Sequence, residues 1–207
     1  MNSSTSPGSI LPALRAATGE AHQRLEDVVA IERRLSDLAL YRQILEIFVG
    51  FYRPLEHHLA AGADWQAIGL NLVDRHKAPW LQTDLRALGL TATQIETLPE
   101  CHDLPCVDTP ARALGCLYVL EGATLGGRQI SAMMARGGVV PGEARQFFGS
   151  YGERTGERWR EFIAVLDGYA DGPGNAQGRD IIQGASETFA CLHRWHVRQC
   201  PTDEFPG

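Results

Sequence analysis

Apolar residues recur along most of this chain in steps of three and four, the spacing of one face of an α-helix. The first such stripe is Leu11, Leu14, Thr18, Ala21, Leu25 and Val28. A second helix is predicted near 37–60, with Ser36 or Asp37 as cap and a stripe of Leu38, Tyr41, Leu45, Phe48, Phe51/Tyr52, Leu55 and Leu59. Pro54 is placed to kink it. A third fits 74–88 and stops before Gly89; Thr91 can cap a short helix over 92–98. Residues 99–108 read as a loop. Thr109-Pro110 then supplies an N-cap followed by Pro at the first helical position, opening a long helix to about Arg136 that ends at Gly137-Gly138. Later helices fit 142–150, 155–170 and 178–199, with the turn cluster DGPGNAQG at 171–178 between the last two. No alternating segment is long enough for a strand, and no repeat is present. The fold class is therefore all-α: one domain over 10–200 of seven or eight helices, with a flexible segment at 1–9 and a tail at 201–207.

One stretch of the long helix breaks the pattern. LYVLEGATLGGRQI, residues 117–130, holds Gly122, Gly126 and Gly127. Each helix-interior glycine costs about 1 kcal/mol relative to alanine. Tyr118, Gly122, Gly126 and Gln129 share one stripe, with Leu125 beside it. Absent side chains at Gly122 and Gly126 let something lie against the backbone. Spacing alone admits a neighbouring helix or a planar cofactor.

Composition narrows the functional classes. A net charge of −6 argues against nucleic-acid binding. Five irregularly spaced cysteines suggest no disulfide framework and fit a reducing compartment, with Cys116 a small core residue. The polar N-terminus lacks the features of a signal peptide, and no run of about 18 apolar residues offers a membrane span. These features predict a cytoplasmic protein.

Of the seven histidines, His22 has the most informative setting. Arg15, seven residues earlier, returns to within about 20° of it around the helix and about 10 Å along the axis; Glu26 lies one turn on. A ligating imidazole binds metal through one nitrogen and gives its other N–H to an acceptor. Glu26 is within reach to accept it, and Arg15 is placed to meet an anionic part of the same ligand. The same stripe also reads as a solvated helix face with a Glu–His pair. His193 and His196, near Cys191, read better as a polar helix face. His57-His58 point apart, and Cys101, His102 and Cys106 lack zinc spacing. No Glu has a His three residues later, which excludes a di-iron carboxylate bundle. GATLGGRQ has no phosphate-loop ending, and no flavin or NAD(P) fingerprint is present.

Two motifs together are more specific. ATGEAHQRLE (17–26) resembles the proximal helix of heme oxygenases, and YVLEGATLGG (118–127) their distal helix, in a wording most like the enzymes that accompany bacteriophytochromes. The separation of about 100 residues, the chain length and the all-α pattern match as well. The resemblance implies heme b, both cofactor and substrate, between two helices. His22 matches the proximal iron ligand, Glu26 its hydrogen-bond partner and Arg15 a propionate contact. Gly122 and Gly126 match the distal glycines that contact heme and leave room for catalysis, with Gly127 beside them. Phe189, in ETFACL, resembles a pocket aromatic. Tyr118 is placed as a pocket or propionate contact, and Arg158 or Arg154 as a further propionate partner. The implied reaction consumes O2 and electrons from a ferredoxin or NADPH-linked reductase, and yields biliverdin, CO and iron, with a bacteriophytochrome as bilin acceptor.

One position departs from the mammalian pattern: Ala123 stands where an Asp anchors distal water. Thr124, Gln129 or backbone carbonyls are the remaining candidates for that task. A heme carrier or sensor on the same fold, and a heme-free relative of the thiaminase-like kind, are the alternatives.

Overall fold

The computed structural model describes residues 8–170 and 174–200. Among them it contains helices α1 (Leu11–Val29), α2 (Ile31–Arg34), α3 (Leu38–Gly62), α4 (Trp65–Ile68), α5 (Ala78–Ala87), α6 (Ala92–Glu96), α7 (Pro110–Gly137), α8 (Gln146–Gly149), α9 (Thr155–Ala170) and α10 (Ala176–Gln199), with three short 3-10 turns and no strand. The tail at 201–207, most of the N-terminal segment at 1–9, and residues 171–173 of the predicted turn cluster lie outside the described residues. Ser9 is tied down: its Oγ donates to Asp167 Oδ1 at 3.0 Å, and the Ile10 amide donates to the same oxygen.

Local chemistry sets most helix ends. Asp37 caps α3 by accepting from the Ala39 and Leu40 amides, and Thr109 caps α7 by accepting from Arg112. Thr91 and Gln94 form a capping box on α6. Gly138, at φ 69°, closes α7 with a bond to the Met134 carbonyl. Pro54 sits inside α3 and leaves the Gly50 carbonyl without its helical donor. The Cys101 amide from the 99–108 loop fills that vacancy at 2.8 Å.

Two predicted elements differ, and two short helices are additional. The helix expected over 74–88 is broken into a 3-10 turn at Val73–Arg75 and then α5. In one continuous helix the Pro79 ring would clash with the Arg75 carbonyl; that carbonyl instead accepts from Lys77 Nζ at 2.7 Å. The helix expected over 142–150 is a 3-10 turn at Gly142–Ala144 and the single turn α8. Asp84 of α5 caps α8 from across the fold, accepting from the Gln146 and Phe147 amides. The short helices α2 and α4, too brief to show a period, are additional; Asp64 caps α4 and Gly69, at φ 87°, ends it.

The arrangement turns on α10. It packs most closely on α7 and next on α1. The α7–α10 crossing is backbone against backbone. A Cβ at Gly115 would collide with the Ile181 carbonyl oxygen, and one at Gly184 with the Arg112 carbonyl oxygen. On its other side α10 meets α1 through side chains. His196, 1% exposed, sets Nε2 at 3.0 Å from the Val28 carbonyl oxygen. Burial, reinforced by the Arg34 charge, pushes its imidazole down to about 4. Neutral His196 therefore donates from Nε2 and leaves Nδ1 buried without a partner. The helices α3, α5, α8 and α9 complete the core around this trio.

Two outcomes follow from this packing. Gly184→Ala and Gly115→Ala each lower stability by about 1–3 kcal/mol through overpacking, read by urea denaturation; unchanged midpoints would contradict the crossing. His196 binds its proton less readily folded than unfolded, so its contribution is present above pH 6.5 and is lost as pH falls from 6.5 toward 4. Glu56 and Asp84, which burial pushes up to about 7 and about 6, act in the opposite sense. The comparison is accordingly between wild type and His196→Gln: the variant loses on the order of 2 kcal/mol less between pH 7 and pH 4.5. Parallel pH profiles would refute the assignment.

Candidate functional site

Because α1 and α7 both lean on α10 rather than on each other, a cleft opens between them, with a cavity volume of about 380 Å³. One wall is α1, through Arg15, Thr18, Gly19, His22 and Leu25, which recur at helical spacing. The facing wall is α7, through Tyr118, Val119, Gly122, Ala123 and Leu125. Phe189 and Leu192 of α10, Tyr52 of α3 and Trp159 of α9 complete the lining.

His22 is the imidazole of this cleft. Its Nδ1 lies 3.6 Å from Glu26 Oε2, with the two side chains 55% and 58% exposed. The Phe189 ring meets the imidazole edge-on, centroids 5.6 Å apart, and buttresses its orientation. A carboxylate at Nδ1 leaves Nε2 as the nitrogen available to a ligand. Arg15, exposed two turns away, supplies positive charge on the same wall. Among the described residues no group of three or more His, Cys, Asp or Glu is arranged to hold a metal. Of the described His, Cys, Asp and Glu side chains, His22 is the one that lines the cleft.

On the opposite wall the three glycines of the distal motif separate into two kinds. A Cβ at Gly122 or Gly126 would meet nothing within 4 Å beyond its own helix. A Cβ at Gly127 would collide with the Phe148 carbonyl oxygen. Gly127 thus belongs to the α7–α8 contact, a correction to its expected place beside a ligand: one residue further along turns it about 100° around the axis, into the core. Gly126 is exposed just outside the residues that line the cleft. Tyr118 and Thr18 line opposite walls of the cleft, and the Tyr118 ring lies tilted to Trp159 at 5.8 Å; burial pushes its hydroxyl up.

Arg158 does not reach the cleft. Its guanidinium lies over the Tyr151 ring, donates to the Asp74 carbonyl at 3.2 Å and pairs with Glu161 at 3.3 Å. Arg154 pairs with Glu157 at 3.1 Å. The residue that α9 does turn inward is Trp159, on the same face as Phe162 and Leu166. The spacing of α9's apolar stripe is the signal that could have found it. Tyr52 carried a similar signal, since it belongs to the α3 stripe yet borders the cleft while 3% exposed. Thr124 is also absent from the lining: it is buried, and its hydroxyl donates to the Glu121 carbonyl at 2.6 Å. Of the other candidate histidines, His196 is committed to Val28. All five cysteines are free thiols.

A heme fits these residues in kind. The lining is mostly apolar, as a porphyrin face requires, with one imidazole on one wall and bare backbone on the other. A cation, Arg15, stands at the side where a propionate would need one.

Comparison with known proteins agrees. The family model described as heme oxygenase matches residues 9–198. A curated heme oxygenase of Xanthomonas campestris pv. campestris (strain 8004) is 31% identical over 163 residues, covering 76% of this chain and 88% of that protein. The NO- and CO-bound heme oxygenase of Neisseria meningitidis superimposes with a TM-score of 0.75 at 18% identity, covering 93% of this chain and 92% of that one, which establishes the shared fold. No helix among the described residues is long and apolar enough to cross a membrane. With a match that spans nearly its whole length, the chain belongs to the heme oxygenase family, enzymes that take heme as substrate.

Proposed function

We propose that this enzyme cleaves heme b oxidatively to biliverdin, CO and iron, using O2 and electrons delivered by a ferredoxin or NADPH-linked reductase, and that the bilin serves a bacteriophytochrome. The observation that carries the reading is the pairing, across one cleft, of the His22–Glu26 couple with a wall made bare at Gly122.

His22 Nε2 would ligate the heme iron. Glu26, whose Oε2 lies 3.6 Å from Nδ1, would favour the tautomer protonated at Nδ1 and so leave Nε2 free for ligation. Phe189 holds the ring edge-on. Arg15 would meet a propionate, and Tyr118 faces Thr18 from the opposite wall. Heme iron, when bound, supplies the oxygen activation, and the protein supplies ligand, orientation and exclusion. Gly122 and its neighbour Gly126 leave room by omission, since a larger side chain would take up space beside the porphyrin that O2 would need. Ala123 offers no polar side-chain atom, so the ordered water that would deliver protons falls to backbone carbonyls and the other polar groups of the lining. Tyr52, Tyr118 and Trp159 are suited to this. Burial pushes both tyrosine hydroxyls up, so they stay protonated donors at neutral pH.

Three experiments test this reading. Purified protein binds hemin 1:1 with a Soret band that His22→Ala weakens or shifts; an unchanged spectrum in the variant contradicts the ligand assignment. With an electron donor and O2 the Soret band decays and a biliverdin band grows, whereas a stable oxy-heme spectrum would mark a carrier instead. Gly122→Ala and Gly126→Ala raise the stability of the heme-free protein by up to about 1 kcal/mol each and slow heme turnover at least tenfold. Undiminished turnover would show that the bare wall has no role in the reaction.

A further inference from the structure

The bare wall has a mechanical problem. The stretch from Gly122 to Gly126 has few side chains with which to hold itself in place, and glycine is the most pliant residue in a helix. The structure supplies an anchor at each end. At the far end, Gly127 sits against the Phe148 carbonyl of α8. At the near end stands Glu121, the residue directly before Gly122, 1% exposed and turned away from the cleft.

Both carboxylate oxygens of Glu121 are engaged. Oε2 takes Arg75 Nη1 at 2.5 Å; Oε1 takes Lys77 Nζ at 2.6 Å and the Tyr151 hydroxyl at 2.8 Å. The partners are themselves fixed. Lys77 Nζ also donates to the Arg75 carbonyl, and the Lys77 amide donates to Glu56 of α3 at 2.5 Å. Arg75 lies 3.7 Å from Glu161 of α9 and stacks over the Phe162 ring at 5.7 Å. Tyr151 follows α8, so the segment holding Gly127 also holds Glu121.

Burying charges in this way is a poor route to stability. Each ion loses several kcal/mol of hydration, and apolar residues of the same volume often do as well or better. What an ion cluster supplies and an apolar cluster does not is direction: three donors from two segments converge on one carboxylate. We infer that Glu121 is a positioning residue for the reaction, a buried clamp, set by Arg75, Lys77 and Tyr151, that fixes the Gly122–Gly126 wall at one height above the bound heme. The inference rests on the reading that this wall faces heme, and the experiment separates the two.

Three variants are compared: Tyr151→Phe, which removes one hydrogen bond; Glu121→Gln; and the double variant Glu121→Leu with Lys77→Met, which removes both charges of the Lys77 pair together. Amide hydrogen exchange is measured on the heme-free protein. Exchange at 122–126 accelerates about threefold in Tyr151→Phe and at least tenfold in the others, while amides at 111–118 hold their wild-type rates. The CO stretching band of the ferrous heme complex, single in wild type, splits or broadens in the same order, even where the melting temperature of the double variant matches wild type. A merely structural cluster would move the melting temperature alone. Any folded variant with unchanged exchange at 122–126 and an unchanged CO band overturns the inference; Tyr151→Phe, the mildest, decides should the charge variants fail to fold. Loss of localised exchange protection with no heme bound by wild type would retain the clamp and refute the reading of the wall.

Discussion

The backbone contact between α7 and α10 is the constraint on which the site depends. Gly115 and Gly184 let the two helices approach until each meets the other's carbonyl oxygens. On its other side α10 meets α1 through larger groups, Phe189 at His22 and His196 at Val28. One neighbour is drawn in close and the other held off by side chains. The cleft is the space between those neighbours: α1 and α7 both pack on α10 and meet each other little. His22 and the bare wall face one another as a consequence of that packing, with no direct contact needed to set them.

The glycines of α7 thus perform two kinds of work within one helix. Gly115 and Gly127 are glycine because a neighbour's backbone fills the place of a side chain. Gly122 and Gly126 are glycine although nothing of the protein stands there. The second kind costs helix stability with no packing in return, roughly 1 kcal/mol each, and an uncompensated cost of that kind points to a ligand. The charge cluster at Glu121 is the complement: it restores, from behind, the rigidity that the bare wall gives up.

Much of this was legible in the chain, and the limits are physical. The ends of α3, α6 and α7 were readable because Asp37, Thr91 and Thr109 cap their own helices within three residues. The start of α8 was not, because its cap is Asp84, 62 residues earlier. Likewise the break before α5 depends on where Lys77 is held, as well as on Pro79. His22 and Glu26 stood out because an imidazole and a carboxylate lie one turn apart on a single helix. Gly127 and Gly126, neighbours with the same side chain, differ only in having Phe148 opposite or not, which no local pattern records. Trp159 lines the cleft and its neighbour Arg158 does not, because one residue of helical rotation decides which faces it, and the resemblance that pointed to Arg158 carries no such register.

The central geometric claim is that a heme lies between the two walls, one face toward His22 and the other toward the Gly122–Gly126 stretch. The most direct measurement is a crystal structure of the heme-loaded protein. It should place the iron at bonding distance from His22 Nε2, with Glu26 on Nδ1 and the porphyrin face against the backbone at Gly122. Iron bound through any other residue, or a porphyrin lodged outside the α1–α7 cleft, would contradict it.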